Sequence, residues 1–182
     1  MEPTEKTEFQ NIIHQIPPVW DPESEVLILG TMPSPKSREA GFFYMHPQNR
    51  FWKVLPAVFG ESLHYLNNSP DREAAISERC DFLLRHHIAL WDVLASCQIS
   101  GAADSSIKNA IPNDFEELLG QSKIRRLFCT GKTAWSLWKK HCAEKYEEPY
   151  QLTAECLPST SPANAACSLE KLIEAYKVIA IG

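Results

Sequence analysis

Four short apolar runs, each set off by segments of helical spacing, constrain this chain more than any other feature. They are EVLILG (25–30), IALWDVL (88–94), IRRLFCT (124–130) and YQLTAECLP (150–158). Each is short and rich in branched or aromatic side chains, so each is predicted as a strand. Between them, SPDREAAISERCDFLLRHH, KTAWSLWKKHCAEKY and AACSLEKLIEAYKVI read as helices, the first with Asp71 near its cap. A further helix starts near Pro47, and a short one in NDFEELL is capped by Asn113 or Asp114. Strands alternating with helices predict an α/β fold: a central four-stranded parallel sheet with helices on both faces. Ligands of such sheets bind beyond the carboxyl ends of the strands. The loops 31–46, 95–112 and 158–164 are therefore expected to converge on one cleft.

Phe9, Ile12, Ile13 and Ile16 also fall at helical spacing, which makes residues 1–20 an N-terminal helical extension ending at Pro17-Pro18. The length of 182 residues suits one domain spanning the whole chain. A net charge of −5 argues against sequence-blind adhesion to nucleic acid. Six cysteines, with no C-x-x-C and no zinc spacing, fit a reduced, cytoplasmic setting and predict no metal site. No apolar run is long enough to span a membrane, and the polar N-terminus is not a signal peptide.

Familiar catalytic motifs are missing. GKT at 131–133 lacks the earlier glycine of a phosphate loop, because Arg126 stands there. No serine sits in a G-x-S-x-G elbow, so an α/β-hydrolase reading has no nucleophile. The unusual segment is Gly30–Trp52. Three consecutive aromatics, Phe42, Phe43 and Tyr44, precede His46-Pro47-Gln48-Asn49, and Pro33, Gly41 and Pro47 constrain the path. Taken singly, Asn49 reads as a helix-start residue and the aromatics as core. Taken together, they place a ring beside an amide at a cleft mouth, where a nucleobase stacks for about 1–3 kcal/mol.

Three segments carry a resemblance: LILGTMPSPKSREAGFFYMHPQNRFWKVL, ALWDVLASCQISGAADSSIKNAIPND and LPSTSPANAACSLEKLIEAY. In this order the chain resembles the uracil-DNA glycosylase superfamily from about Val26 to Ile179, and within it the hypoxanthine-DNA (deoxyinosine) glycosylase branch. The resemblance implies a single-domain three-layer α/β/α fold and an enzyme that removes a deaminated base from DNA, leaving an abasic site. It implies no metal and no organic cofactor. A monomer acting on DNA that carries a deaminated base is the expected form.

By position, Gly30, Thr31, Met32, Pro33 and Ser34 match the first motif, on the water and sugar side. That turn lacks the acidic or amide side chain of better-known relatives, and Asn49 looks like its replacement, orienting water. Tyr44 matches the aromatic that stacks on the flipped base, with Phe43 as second choice and His46 beside it. Trp91, Asp92 and Ser96 match the strand end that reads the base edge; Trp91 where uracil-excising relatives carry an amide argues against a strict uracil reader. Pro158, Ser159, Thr160, Ser161, Pro162 and Asn164 match the second motif, which grips the DNA strand. Leu157 opens that motif in place of a His or Asn, and Ser161-Pro162 stands near the position of a Leu wedge. Lys36, Arg38, Arg50 and Lys108 are candidates for a basic patch at the cleft mouth. The competing class is a non-catalytic nucleobase or nucleotide binder on the same scaffold.

Overall fold

The computed structural model describes residues 8–101 and 103–181. Two sheets organise them. The larger has four parallel strands in the order β3-β2-β6-β7: β2 (Val26–Gly30), β3 (Ile88–Asp92), β6 (Arg126–Thr130) and β7 (Thr153–Leu157). The smaller is antiparallel, in the order β1-β4-β5: β1 (Gln10–Ile13), β4 (Leu94–Ile99) and β5 (Lys108–Pro112).

Side chains along β2 alternate between two cores, as a strand buried on both faces must. Leu27 and Leu29 join Leu127, Cys129, Phe115 and Trp138 on one face. Val26 and Ile28 join Leu90, Phe128, Leu172 and Tyr176 on the other. Helices α4 (Glu116–Gly120) and α5 (Lys132–His141) cover the first face, and the four-residue α6 (Ala143–Tyr146) follows α5. The second face is covered by α2 (Phe51–Val58), α3 (Arg72–Arg85) and α7 (Leu169–Tyr176). Thus the predicted parallel sheet with helices on both faces is the fold observed.

Three local expectations fail. The segment predicted as an N-terminal helix forms β1, pairing with β4 from Gln10↔Ile99 to Ile13↔Ser96; residues 1–7 of that extension lie outside the described residues. Ile12 and Ile13 are adjacent β-branched residues, which favour a strand once an edge is on offer. One side chain points in, and Ile13 is left 68 % exposed. Loop 31–46 contains the helix α1 (Pro35–Ala40), capped by the Ser34 hydroxyl on Ser37 N. The stretch 95–112 is largely the β4–β5 ladder, interrupted by register shifts. In addition, α2 starts at Phe51 rather than near Pro47.

Val93 is the corner where the chain leaves the parallel sheet. Its N–H donates to Gly30 O at 2.8 Å, and Leu94 N donates to Thr31 O at 3.2 Å. Buried Asn113 does not cap α4; its Nδ2 donates to the Asp92 and Leu94 carbonyls and locks this corner. The N-cap of α4 is Phe115, without a side-chain cap, and Asp114 just before it accepts from Glu116 N at 3.0 Å.

Candidate active site

In the strand order β3-β2-β6-β7 the connections diverge between β2 and β6, the point where open α/β sheets bind ligands. A cavity of about 580 Å³ opens there, lined by Gly30, Thr31 and Thr130 from the two strand ends. That volume falls in the range of small-molecule sites, about 300–1,000 Å³.

Gly30 makes the floor possible. A Cβ at this residue would lie 2.4 Å from Asp92 Oδ1 and 2.8 Å from the Tyr44 hydroxyl. Asp92, paired with Gly30 in the β2–β3 ladder, is 4 % exposed. Its Oδ2 meets His14 Nε2 at 2.8 Å, and its Oδ1 has no hydrogen-bond partner among the described residues. Burial pushes this carboxyl above its ordinary range, while the hydrogen bond and charge of His14 pull it down. Asp104, on the exposed 3₁₀ turn Asp104–Ser106, lines the mouth. Its carboxyl is also raised, by desolvation first, with Thr31 opposing and the charge of Asp92 adding.

Tyr44 forms one wall. Phe51 stacks on one face of its ring, 4.0 Å between centroids at 14°, so the other face is left for the cavity. The hydroxyl is fixed to Thr130 Oγ1 at 2.7 Å. Burial, then the Asp92 charge, raises this phenol well above its usual range, so it stays neutral. The Tyr44 backbone takes φ = 56°, sparsely populated for a non-glycine residue. Asn67 Nδ2 supports that conformation by donating to the carbonyls of Tyr44 (3.2 Å), His46 (2.9 Å) and Asn49 (3.2 Å). Arg79, buried in α3 with its guanidinium over Trp52, donates to Asn67 Oδ1 at 3.0 Å.

Asn49 serves both readings of the sequence at once. Its Oδ1 accepts from Phe51 N at the start of α2 and from Thr160 Oγ1, each at 2.9 Å. Because Phe51 N can only donate, the amide orientation is settled. Its Nδ2 makes no hydrogen bond among the described residues, and Asn49 lines the cavity.

The loop after β7 forms the opposite rim and is tied down from below. Tyr176 Oη donates to Pro158 O, and Asn164 Nδ2 donates to Ser159 O. Arg50 donates from its backbone and Nε to Thr160 O, and from its guanidinium to Ser161, Asn164 and Cys167 carbonyls. Gly131, at φ = 101°, brings the β6–α5 turn against this loop; a Cβ there would meet Ser159 Cβ at 3.2 Å.

Of the residues singled out in the sequence, Gly30, Thr31, Met32, Pro33 and Ser34 line the cavity, as do Phe43, Tyr44, Asn49 and Asp92. Ser159, Thr160, Ser161 and Asn164 line it too. Phe43 is 1 % exposed and mainly core. His46, Trp91, Ser96, Pro158 and Pro162 are not among the lining residues. Trp91 turns away, donating from Nε1 to Ile16 O and packing edge-on against Phe115. Ser96 sits in the β1–β4–β5 ladder. His46 Nδ1 is occupied by Gln48 N.

The supposed basic patch does not assemble. Arg38 lines the cavity, but Arg50 is the loop clamp, Lys36 pairs with Glu39, and Lys108 lies over the Phe9 ring. Sequence reasoning missed His14 altogether, since its link to Asp92 spans 78 residues. It also missed Thr130, which had a usable signal: a polar residue closing an apolar strand.

A switch-point cavity walled by a fixed aromatic ring, an amide and carboxyls gives this α/β protein a place suited to a flat, polar ring. A family model described as the uracil DNA glycosylase superfamily matches residues 17–180, and the chain belongs to that superfamily. It is 32 % identical over 149 residues to the hypoxanthine DNA glycosylase of Methanosarcina acetivorans, covering 81 % of this chain and 85 % of that one. To the hypoxanthine DNA glycosylase of Methanosarcina barkeri it is 36 % identical over 102 residues, 56 % of this chain and 60 % of that relative. Its fold is similar to the solution NMR structure of a "putative Uracil DNA glycosylase" from Methanosarcina acetivorans. The TM-score is 0.72 and the identity 26 %, with 94 % of this chain and 99 % of that chain covered. This is the family that the three sequence segments resemble.

Proposed function

We propose that this protein is a DNA glycosylase that hydrolyses the N-glycosidic bond of deaminated bases, hypoxanthine foremost, and leaves an abasic site. The flipped nucleotide enters the β2/β6 cavity, where its base lies on the free face of Tyr44 with its edge toward Asp92. The observation that carries this reading is Asn49: an amide whose oxygen is pinned by Thr160 and Phe51, with its Nδ2 unpaired at the cavity wall.

As the bond breaks, the sugar becomes cationic and the base anionic. Water then needs placement against C1′ more than early deprotonation, and a fixed amide supplies placement. Asp104 at the cavity mouth, rather than Asp92 at the base edge, puts negative character on the side where the sugar cation forms. The same carboxyls disfavour a free nucleotide whose phosphates enter the cavity, which weighs against the binding-module alternative. Among the described residues, no lysine lines the cavity, so no amine is at hand for a Schiff base and strand cleavage. This lining supports a monofunctional glycosylase.

The test is single-turnover incubation with duplexes that each carry one hypoxanthine, uracil or xanthine, scored as alkali-labile sites. Asn49→Ala is expected to retain fold and DNA affinity while excision falls at least about 100-fold. Excision within a few-fold of wild type would remove Asn49 from this role.

A further inference from the structure

His14 precedes the segment that matches the superfamily model, yet its imidazole bonds to Asp92, a residue that lines the cavity. Its backbone N–H donates to Ala95 O at 2.8 Å, continuing the β1–β4 pairing and carrying the imidazole toward the end of β3. The His14 and Asp92 side chains are 2 % and 5 % exposed, so their contact is dry. Phe43 and Trp91 wall the imidazole, with ring centroids at 6.0 Å and 6.3 Å. The groups facing the Asp92 carboxyl are His14 from the end of β1, Tyr44 from the loop after α1, and Asp104 across the mouth. The Tyr44 hydroxyl is engaged with Thr130, which leaves His14, among the described residues, as the side chain bonded to the Asp92 carboxyl.

We propose that His14 is a positioning residue for base selection: it holds Asp92 as a fixed, acceptor-only carboxylate whose free Oδ1 reads a ring N–H on the flipped base. This rests on the glycosylase function proposed above. An ionised carboxylate offers acceptors and no donor. Deamination of adenine converts N1 from an acceptor to an N–H donor, and deamination of cytosine does the same at N3. Oδ1 therefore pairs with hypoxanthine or uracil and meets the lone pair of adenine or cytosine with repulsion. A buried polar site left without its partner is the strongest form of discrimination a pocket has. Guanine and thymine also carry that N–H, so their exclusion falls to the cavity walls. A protonated Asp92 would invert the code, because its O–H would donate to adenine N1. Burial favours that protonated form, and the bond from His14 Nε2 opposes it.

The experiment measures hypoxanthine excision by the full chain across about pH 5–9. Wild type, His14→Gln, which keeps a donor without a cationic form, and His14→Leu, which keeps neither, are compared. Removing His14 removes the hydrogen bond and charge that lower the Asp92 pKa, so the acid limb of the rate profile moves to higher pH. The displacement is expected to be larger in His14→Leu than in His14→Gln. Carbon-13 NMR of the Asp92 carboxyl, without DNA, is expected to show the same displacement. It keeps the test open should His14→Leu prove unable to excise. Equal losses at every pH, with an unmoved limb and unmoved carboxyl titration, would overturn the proposal and leave His14 a packing role. A wild type that excises no deaminated base would instead overturn the parent function.

Discussion

Replacing Gly30 by Ala tests whether the cavity floor depends on the close approach of three chain segments. The added Cβ would sit 2.4 Å from Asp92 Oδ1 and 2.8 Å from the Tyr44 hydroxyl. The backbone has no freedom to retreat, because Gly30 is paired with Asp92 in the ladder and its carbonyl accepts from Val93 N. Both side chains are also tethered, Asp92 to His14 and Tyr44 to Thr130. Overpacking of this kind costs about 1–3 kcal/mol. Detaching the Tyr44 hydroxyl forfeits about 1 kcal/mol more. For a chain of this size that corresponds to a Tm fall of roughly 4–16 °C. Excision should suffer beyond the folded fraction, by about 100-fold, because a displacement near 1 Å at the reacting centre has that effect. Thermal melts and single-turnover excision well below both midpoints separate the two losses. Tyr44→Phe supplies the internal control: it deletes the oxygen at 2.8 Å and leaves Cζ at 3.4 Å, an ordinary contact. The double variant should therefore be less destabilised than the two singles added together. Wild-type melting and excision in Gly30→Ala, or strict additivity with Tyr44→Phe, would refute this account of the floor.

Two further substitutions address the supports of the site. Arg50→Ala should lower stability by about 2–4 kcal/mol, since its guanidinium serves the carbonyls of Ser161, Asn164 and Cys167. It should also leave the salt dependence of DNA binding unchanged; a log–log slope lower by about one would place Arg50 on a phosphate instead. Asn67→Ala releases the carbonyls of Tyr44, His46 and Asn49 and should reduce single-turnover excision about tenfold with little change in DNA Kd. Excision within twofold of wild type would show that this strap is dispensable.

The parallel sheet was legible because strands such as Leu27–Leu29, buried on both faces, read as unbroken apolar runs. The antiparallel sheet was not. In β4 and β5 most side chains are half-buried or exposed, and the register shifts between them erase a period of two. The β1 segment carried a false helical period, because only its pairing with β4, more than eighty residues away, tells strand from helix. Asn49 and Tyr44 were legible through the company they keep, since helix capping and cavity lining draw on the same amide. Arg50 was misplaced for a physical reason: charge in a sequence suggests surface, and nothing local reveals a set of carbonyls supplied from residues 160–167. His14 left no trace at all, since its meaning lies in a residue on another strand.

The charge of −5 then becomes part of the site's logic rather than an obstacle to it. A protein that grips DNA with many lysines and arginines gains affinity everywhere along the duplex, most of it on undamaged sequence. Here every carbonyl from Pro158 to Ser161 accepts a bond from inside the protein, through Tyr176, Asn164 and Arg50. Those oxygens are turned away from any phosphate, so the rim repels a strand less than its acidic chain suggests. In the proposed reading Arg50 acts by this route rather than on a phosphate, and among the described residues Arg38 is the cation that lines the cavity. The carboxyls of Asp92 on the cavity floor and Asp104 at its mouth reverse the sign of the field. In the proposed reading both oppose a phosphate, while Asp92 accepts a ring N–H and Asp104 favours a cationic sugar, so the cavity would select for the nucleoside portion of a flipped nucleotide. Neutralising Asp104 alone tests this division: Asp104→Asn should tighten retention of undamaged DNA while slowing excision, and a parallel gain in both would show that the charge at the mouth merely opposes binding.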